Sequence, residues 1–406
     1  MTKFLLILLL FPFSLFAWNG SDHQLIGKHA LEPVKSNFQL GIPVQVTPLS
    51  ALLKKLPAGI GDIWHFSNWL GIDPGIDIEE PVPELMGKET VTPIEVLSLY
   101  AIDPDDGRDQ NLFDRDEKGK PIARYADQKW FGALEGPNSQ AFRHIEKPPF
   151  SFRKPRSTFG FPFRAVGEAS KRAEIWFQLS QLAFELGEDY WGWRFLANSF
   201  HYLQDLHNPY HAGQITPEMA FKGFRAWFEW GRQQEGFVGT FAHLISNSHR
   251  FFESYVANPR GHDEGLKQQA LLALEGRDFQ SPLSSVQKLA EEIRDQSNNF
   301  FPSLLDAVTE ATDPRLLGPI TYNSDDPGAD NPEQFLRKRD SFQQANQKIF
   351  RITHGRFASA GSIMRSVVKK SLDERGKKKT EELIQQLNQL LEYETILLDS
   401  ESPPHQ

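Results

Sequence analysis

One stretch of the sequence, His201–His211 with the letters HYLQDLHNPYH, carries the pattern that decides the fold. His201 and Asp205 lie four residues apart on a predicted helix, so their side chains share one face. Imidazole and carboxylate groups are natural ligands of divalent metal ions. Asn208-Pro209 ends the helix and lets His211 turn back toward that face. The pattern favours a metal site, and a polar helix end with a His–Asp hydrogen bond is the alternative.

Helical periodicity dominates the rest of the chain, and strand patterns are scarce. Apolar residues recur every three or four positions, and Gly187 is typical of a helix end. The predicted helices are residues 23–31, 49–56, 167–187, 191–206, 241–256, 266–274, 285–309, 333–372 and 380–398. Segment 103–156 is rich in Asp, Gly, Pro and Lys and is predicted to be a long irregular connection, which is often functional in compact domains. The predicted fold class is all-α. The length suggests about two to three domains, with one large multi-helix domain as the alternative.

Composition excludes several classes of protein. The chain has 406 residues, of which 39% are hydrophobic, as in globular proteins. Lys and Arg number 44 and Asp and Glu 53, so the net charge of −9 disfavours a broad basic face for duplex nucleic acid. Because the sequence contains no Cys, disulfides, thiolate metal sites and a Cys nucleophile are excluded. Any metal site must use His, Asp, Glu or backbone groups.

A second pair of ligand types follows in His249-Arg-Phe-Phe-Glu253. His249 and Glu253 are again four residues apart on a helical pattern. Taken alone this pair is weak, because such pairs are common on helix surfaces. Its interpretation depends on the first motif.

The N-terminal segment resembles a secretory signal peptide, residues 1–17. Lys3 precedes an apolar run over residues 4–16, and Ala17 would be the last residue before cleavage. That run is shorter than the roughly 20 residues that a membrane-spanning helix needs, which disfavours the alternative of a membrane anchor. Cleavage would make Trp18 the first residue of a secreted or periplasmic protein.

The two His–acid motifs and the Trp start together resemble the zinc-dependent phospholipase C family and the related three-zinc single-strand nucleases. In that family the mature chain begins with Trp, whose amino nitrogen and carbonyl oxygen bind zinc, and a His follows on the first helix. Trp18 and His23 match this pattern. The resemblance spans residues 18–372 as the catalytic domain and leaves 373–406 as a C-terminal helical tail, without the family's lipid-binding β-sandwich.

The family also implies an Asp and then a His between the first helix and His201. His144 is the best match for the His. Asp105 is the first choice for the Asp, ahead of its neighbours Asp109 and Asp106. The rival pair is Asp62 and His65, which we disfavour because residues 61–70 are typical of a short apolar helix.

The resemblance implies three zinc ions in one cleft. One zinc would be bound by Trp18, His23 and Asp205, a second by Asp105, His144, His201 and Asp205, and a third by His211, His249 and Glu253. Such a site suits a phosphodiester, because dications neutralise the phosphate and activate water. Asp105 is the expected catalytic base.

The expected function is hydrolysis of phospholipids at a membrane surface. Single-stranded nucleic acid is the alternative substrate, and a non-enzymatic secreted helical protein is the third possibility. An aromatic cluster between His211 and His249 bears on the choice between lipid and nucleic-acid substrates. Its members are Phe221, Phe224, Trp227, Phe228, Trp230, Phe237 and Phe241. Its helical spacing favours a buried core, and an aromatic rim that binds substrate is the alternative. The remaining candidates, His29, His65, His207 and His243, are expected to be structural or solvent-facing.

Overall fold

The computed structural model describes most of the chain between residues 20 and 401. The described residues are 20–70, 78–105, 108, 113–115, 121–123, 143–148, 166–216, 218–219, 221, 224, 228, 237–257, 264–276, 285–312 and 340–401. Helices account for 74% of the structure and strands for 3%, so the predicted all-α class is confirmed. The proposed signal peptide and Trp18 lie outside the described residues.

Helices of 4 to 35 residues form the frame of the protein. In chain order they are α1 (Gly20–Leu31), α2 (Leu49–Leu53), α3 (Ile63–Leu70), α4 (Pro93–Leu99), α5 (Ala169–Glu185), α6 (Asp189–His207), α7 (Pro209–Ala212), α8 (Phe237–Ala257), α9 (Glu264–Leu274), α10 (Val286–Ala311), α11 (Asp340–Glu374) and α12 (Thr380–Glu401). Short 3-10 helices cover Glu32–Val34, Pro83–Leu85 and Tyr100–Ile102. The helix α4 was not predicted, although its capping box of Thr92 and Glu95 is visible in the sequence.

The described strands form three small antiparallel pairs. They are β1 (Val44–Gln45) with β2 (Thr90–Val91), β3 (Phe113–Arg115) with β4 (Pro121–Ala123), and β5 (Glu146–Lys147) with β6 (Val166–Gly167). Three of these strands interrupt the segment 103–156, which the sequence predicted to be irregular throughout. They are only two or three residues long, which is too short to leave a clear alternating pattern.

The centre of the fold is the pair of helices α5 and α6. Almost every residue of α6 is buried, as expected of a helix with other elements on all sides. Gly192 allows its close approach to α5, because a Cβ atom there would lie 2.4 Å from the Phe184 ring. Gly187, with a φ of +72°, ends α5 in the left-handed conformation that glycine adopts readily, as the sequence predicted.

The end of α6 sets the direction of the metal-ligand segment. Asn208 Oδ1 accepts a hydrogen bond from the backbone N–H of Tyr210 and caps α7, whose first residue is Pro209. The chain therefore turns immediately after His207 and brings His211 back beside α6. This is the turn that Asn208-Pro209 predicted.

The remaining helices surround this central pair. Helices α1, α4, α10 and α11 pack around α6, and α12 packs against α5. Leu383 and Leu387 of α12 are buried, and Trp69 Nε1 donates a 2.7 Å hydrogen bond to Asn388. Among the described residues, no helix has the length and apolar character needed to cross a membrane.

Candidate metal centre

Eight of the nine predicted metal ligands lie together in one buried cleft. Helix α1 carries His23, the turn after the 3-10 helix Tyr100–Ile102 carries Asp105, and a helical turn before β5 carries His144. Helix α6 supplies His201 and Asp205, α7 supplies His211, and α8 supplies His249 and Glu253. Their ligand atoms form three compact groups, namely His23 with His201 and Asp205, Asp105 with His144 and His201, and His211 with His249 and Glu253.

The first group joins α1 to α6. His23 Nε2 lies 3.6 Å from Asp205 Oδ1 and 3.7 Å from Asp105 Oδ2. The His23 and His201 rings stack with their centroids 4.0 Å apart. Both rings therefore present a nitrogen to the same carboxylates.

The second group surrounds Asp205. His144 Nδ1 lies 2.9 Å from Asp205 Oδ2 and 2.7 Å from His201 Nε2. Asp105 Oδ1 lies 3.7 Å from His144 Nδ1 and 3.6 Å from His201 Nε2. The ligand atoms of Asp105, His144 and His201 thus lie close enough to share one cation, and Asp205 lies beside them.

The third group joins α7 to α8. His249 Nε2 lies 2.5 Å from Glu253 Oε1, and His211 Nε2 lies 3.7 Å from the same oxygen. The Asn208 side-chain amide lies 3.2 Å from His249 Nε2 and 3.3 Å from Glu253 Oε1. His211 Nδ1 is also 3.5 Å from Asp205 Oδ1, so this group adjoins the other two.

Hydrogen bonds fix the tautomer of three of the histidines. In each of them Nδ1 faces an oxygen acceptor: Gln204 Oε1 at 2.5 Å for His23, the Ala101 carbonyl at 2.6 Å for His201, and the His144 carbonyl at 2.9 Å for His211. Because Nδ1–H donates to that oxygen, the Nε2 lone pair is directed at the carboxylates. This is the pattern that orients metal-binding histidines in proteins.

The other two histidines use different atoms. His144 directs Nδ1 at Asp205, and His249 directs Nε2 at Glu253. Their second nitrogens, His144 Nε2 and His249 Nδ1, are buried and make no hydrogen bond within the described part of the chain. These two rings therefore lack the supporting acceptor that His23, His201 and His211 have.

Burial keeps the imidazoles neutral. It lowers the pKa of His201 and of His211 to about 3. Burial, together with neighbouring histidines, lowers the pKa of His23, His144 and His249 well below the ordinary value. A neutral imidazole is the form that binds a metal ion, so the centre needs no proton loss from these rings at neutral pH.

The carboxyl group of Glu253 shows the opposite behaviour. Burial raises the pKa of Glu253 well above its ordinary value, and the nearby carboxylates of Asp22, Asp105 and Asp205 raise it further. Several acidic groups thus share one cleft with neutral imidazoles. Positive charge from bound cations is what stabilises such a set. The donor chemistry and the directed lone pairs fit divalent metal ions.

The alternative candidates lie elsewhere. Asp62 and His65 are exposed and pair with each other, since Asp62 Oδ2 lies 2.5 Å from His65 Nδ1. His29 bonds Glu275 at 2.7 Å, outside the three groups. Asp106 and Asp109 lie outside the described residues.

His207 and His243 were both expected to be structural or solvent-facing. His207 is buried, and its Nδ1 bonds the Leu203 carbonyl at 2.7 Å, which is a structural role. His243 lies in α8, but its side chain is outside the described part of the structure.

Sequence reasoning missed the residues that support the ligands. Gln204 holds His23, and it follows His201 by three positions, so helical periodicity places it on the ligand face. Asn208 was assigned only to the helix end, yet its amide also contacts His249 and Glu253. Asp22 precedes His23 and is buried near Glu253.

One prediction about the aromatic cluster is wrong for the residues that the structure describes. Phe221, Phe224 and Phe228 are exposed by 70%, 47% and 52%, and do not form the buried core that their spacing favoured. Spacings of three and four place them on one helical face, and helical periodicity alone does not reveal whether a face meets the core or solvent. The side chains of Trp227, Trp230, Phe237 and Phe241 lie outside the described set.

A scan against protein-family models, a search of curated proteins and a search of solved structures each found no match to this chain.

Proposed function

We propose that this chain is a zinc-dependent phosphodiester hydrolase of the phospholipase C type, with the corresponding multi-helix fold. The observation that carries the proposal is the convergence of three ligand groups on one buried cleft, with His201 shared between the first two. Imidazole and carboxylate donors without Cys are the ligand set of hydrolytic zinc sites. Trp18, as a free N-terminus, would complete the first group beside His23 and Asp205, which gives three zinc ions.

Bound zinc ions would supply positive charge for the phosphate and lower the pKa of a water molecule. The residues of the chain then have distinct tasks. Asp105 is the general base, because its side chain is 13% exposed while those of Asp205 and His201 are fully buried. Asp105 is therefore more accessible to solvent than these two ligands, and we assign to it the proton of the attacking water. The side chain of Glu253 is 10% exposed and is thus also partly accessible to solvent.

The exposed aromatic face favours a phospholipid substrate at a membrane surface. Phe221, Phe224 and Phe228 follow His211 in the chain at spacings of three and four residues, and all three side chains are exposed. Aromatic side chains on such a face insert into the boundary between headgroups and acyl chains. The net charge of −9 disfavours a long polyanion such as nucleic acid. Stacking of bases on the same rings is what a nuclease would require, so this face also defines the alternative.

The proposed cellular location follows from the N-terminal sequence. Cleavage after Ala17 releases the Trp18 amine and directs the protein to a secreted or periplasmic location. Export and metal binding are thus linked, because only the processed chain carries the N-terminal ligand.

The test is a parallel assay of the processed protein with zinc, on phosphatidylcholine vesicles and on single-stranded DNA. We expect diacylglycerol and phosphocholine as products, three zinc ions per chain, and no cleavage of DNA. His201→Ala should lose metal and activity together, because His201 belongs to two ligand groups, whereas the exposed His65→Ala should change neither. DNA cleavage without lipid cleavage would indicate the nuclease. Zinc content of one or none, with neither activity, would indicate a non-enzymatic protein.

The aromatic face has its own test. Changing Phe221, Phe224 and Phe228 together to Ser should reduce hydrolysis of vesicles at least tenfold while leaving hydrolysis of a short-chain monomeric lipid nearly unchanged. Leu272→Ser is the matched control, since Leu272 is an exposed apolar residue on α9. Equal loss on both substrates would show that the three rings serve the fold and not the interface.

A further inference from the structure

A buried lysine lies beside the third ligand group. Lys147 Nζ donates to the carbonyl oxygens of Tyr210 at 3.1 Å and of Gly213 at 2.7 Å. Within the described chain, no Asp or Glu forms an ion pair with it, and the Phe301 ring lies 5.7 Å from its amine. Burial of an amine is costly, so a lysine at this position requires an explanation other than surface solvation.

The two carbonyl groups flank the ligand His211. Tyr210 precedes it and Gly213 follows it by two residues, so Lys147 bridges the backbone on both sides of the ligand. Burial lowers the pKa of Lys147 to about 7. The charged and the neutral amine both carry N–H donors, so the bridge to the carbonyls exists in either protonation state.

Segment 144–148, which contains Lys147, also contacts the ligand His211 directly. His211 Nδ1 donates to the His144 carbonyl at 2.9 Å, three residues before Lys147. Gln214 Nε2 donates to the Pro148 carbonyl at 3.0 Å. Segment 144–148 is thus fastened to α7 and the residues after it along its length. It carries His144 of the second ligand group and supports His211 of the third.

Segment 144–148 is also held by contacts from α5, α10 and β6. Glu146 accepts hydrogen bonds from the Ser170 backbone N–H at 2.8 Å and from Arg294 of α10. Gly167 of β6 pairs with Glu146, and a Cβ atom at Gly167 would lie only 1.9 Å from the Ile145 carbonyl oxygen. Segment 144–148 is therefore a rigid support whose position α5 and α10 determine.

We propose that Lys147 is a positioning residue for the third metal ion, because it fastens the backbone on both sides of His211 to segment 144–148, which carries His144. This inference rests on the proposed metal centre. Without the amine, two buried carbonyl groups lose their donor, and α7 is free to move away from β5. His211 Nε2 then loses its alignment with His249 and Glu253, whereas the ligands on α1 and α6 stay in place.

The test measures zinc affinity separately from turnover. Processed wild-type protein and Lys147→Met are titrated with a zinc chelator, and the equivalents released are counted with a zinc indicator. We expect one of three equivalents to bind about tenfold more weakly in Lys147→Met, at the lower end of the range for residues that support metal ligands. The other two equivalents should bind as in the wild type, and Lys147→Arg should restore most of the loss.

The matched control is Lys370→Met. The side chain of Lys370 is only 11% exposed and its amine lies 5.8 Å from the Phe177 ring, much as Lys147 lies against Phe301, but it pairs with Glu374 on α11. It should retain all three equivalents. Lys147→Gln is measured as well, so that a failure of Lys147→Met to fold does not leave the question open.

The zinc titrations distinguish failure of the positioning role of Lys147 from failure of the proposed function. Unchanged affinity in Lys147→Gln, or equal weakening of all three equivalents, overturns the positioning role. Wild-type protein that binds three zinc ions while the Lys147 variants bind them equally well contradicts this inference alone. Wild-type protein that binds fewer than three contradicts the proposed function and this inference with it.

Discussion

Asp103 Oδ2 accepts a 2.9 Å hydrogen bond from Arg194 Nε of helix α6, and both side chains are buried. Asp103 lies two residues before Asp105 in the chain. The Arg194 guanidinium also lies 4.0 Å from the centre of the Tyr100 ring. Arg108 donates to the other oxygen of Asp103 at 2.9 Å. This ion pair ties the turn that carries Asp105 to helix α6, so it fixes the direction from which the proposed base enters the cleft.

The first prediction is that Asp103→Asn destabilises the protein and weakens the second ligand group. Removing one partner of a buried ion pair costs about 3–5 kcal/mol, because the remaining charge stays buried. The free energy of unfolding, measured with denaturant, should fall by an amount in this range. The control is Asp189→Asn, since Asp189 forms a half-exposed pair with Arg375 and such pairs contribute about 0–1 kcal/mol. Equal, small losses in both variants would show that Asp103 has no special role.

The second prediction separates the two candidate loop acids. Asp105→Asn should abolish turnover and leave the helical circular dichroism intact, because Asp105 contacts His144, His201 and His23. Asp62→Asn should stay active, since Asp62 is exposed and its carboxylate bonds the nearby His65, away from the three ligand groups. An active Asp105→Asn together with an inactive Asp62→Asn would reverse the assignment.

Helical periodicity made a large part of the centre predictable. His201 with Asp205 and His249 with Glu253 are pairs four residues apart, so each pair is placed on one face before any tertiary structure is known. The Asn208-Pro209 turn likewise follows from local chemistry. His23, Asp105 and His144 come from separate segments, and no local rule brings them together. They were found only through a resemblance to a family.

The supporting contacts could not be derived from the sequence. Lys147 meets the Tyr210 carbonyl across 63 positions of the chain, and Arg194 meets Asp103 across 91. Such contacts depend on how helices pack, and packing depends on volumes and rotamers throughout the core. The exposed Phe221 face was misjudged for the same reason, since the sequence states which residues share a face but not what that face meets.

The third prediction concerns the N-terminus. A version with an added residue before Trp18 should fold but have weak activity, because an amide replaces the amine that would bind zinc. The free amine has a pKa of about 7.7–8.0, and zinc binding drives its proton off. The comparison is between exported protein, with Trp18 confirmed as first residue by sequencing, and the extended version at saturating zinc. Equal turnover would mean that the Trp18 start is coincidental and that the site uses fewer metal ions.

The fourth prediction is a pH dependence of the metal-free protein. Buried histidines whose pKa is lowered in the folded state are His23, His144, His201, His207, His211 and His249. Between about pH 6.5, where unfolded histidine titrates, and about pH 3, the unfolded chain binds more protons than the folded one. The contribution of these histidines to the free energy of unfolding is therefore fully present above about pH 6.5, and it is lost as the pH falls toward about 3. The raised pKa of Glu253 has the opposite effect on stability, but six histidines outweigh this single carboxyl group.

This pH dependence is measured by denaturant unfolding in a chelator between pH 7.5 and 5. Each imidazole contributes up to about 1.4 kcal/mol per pH unit within that window. His207→Gln should reduce the slope by up to one such increment, since its pKa in the folded state is about 3 and it lies outside the three ligand groups. Stability that is independent of pH across this range would contradict the burial of these rings.

The hydrogen bond between His23 and Gln204 joins residues 181 positions apart. Single helices form in about a microsecond, whereas contacts between distant segments wait for loop closure and set the overall folding time. Before α1, α6 and α8 have docked, none of the three ligand groups is complete, because each draws its members from separate segments of the chain. For the proposed metal centre we therefore expect metal capture to be the last event in maturation, at a rate that reports the docking of helices and not the diffusion of the ion.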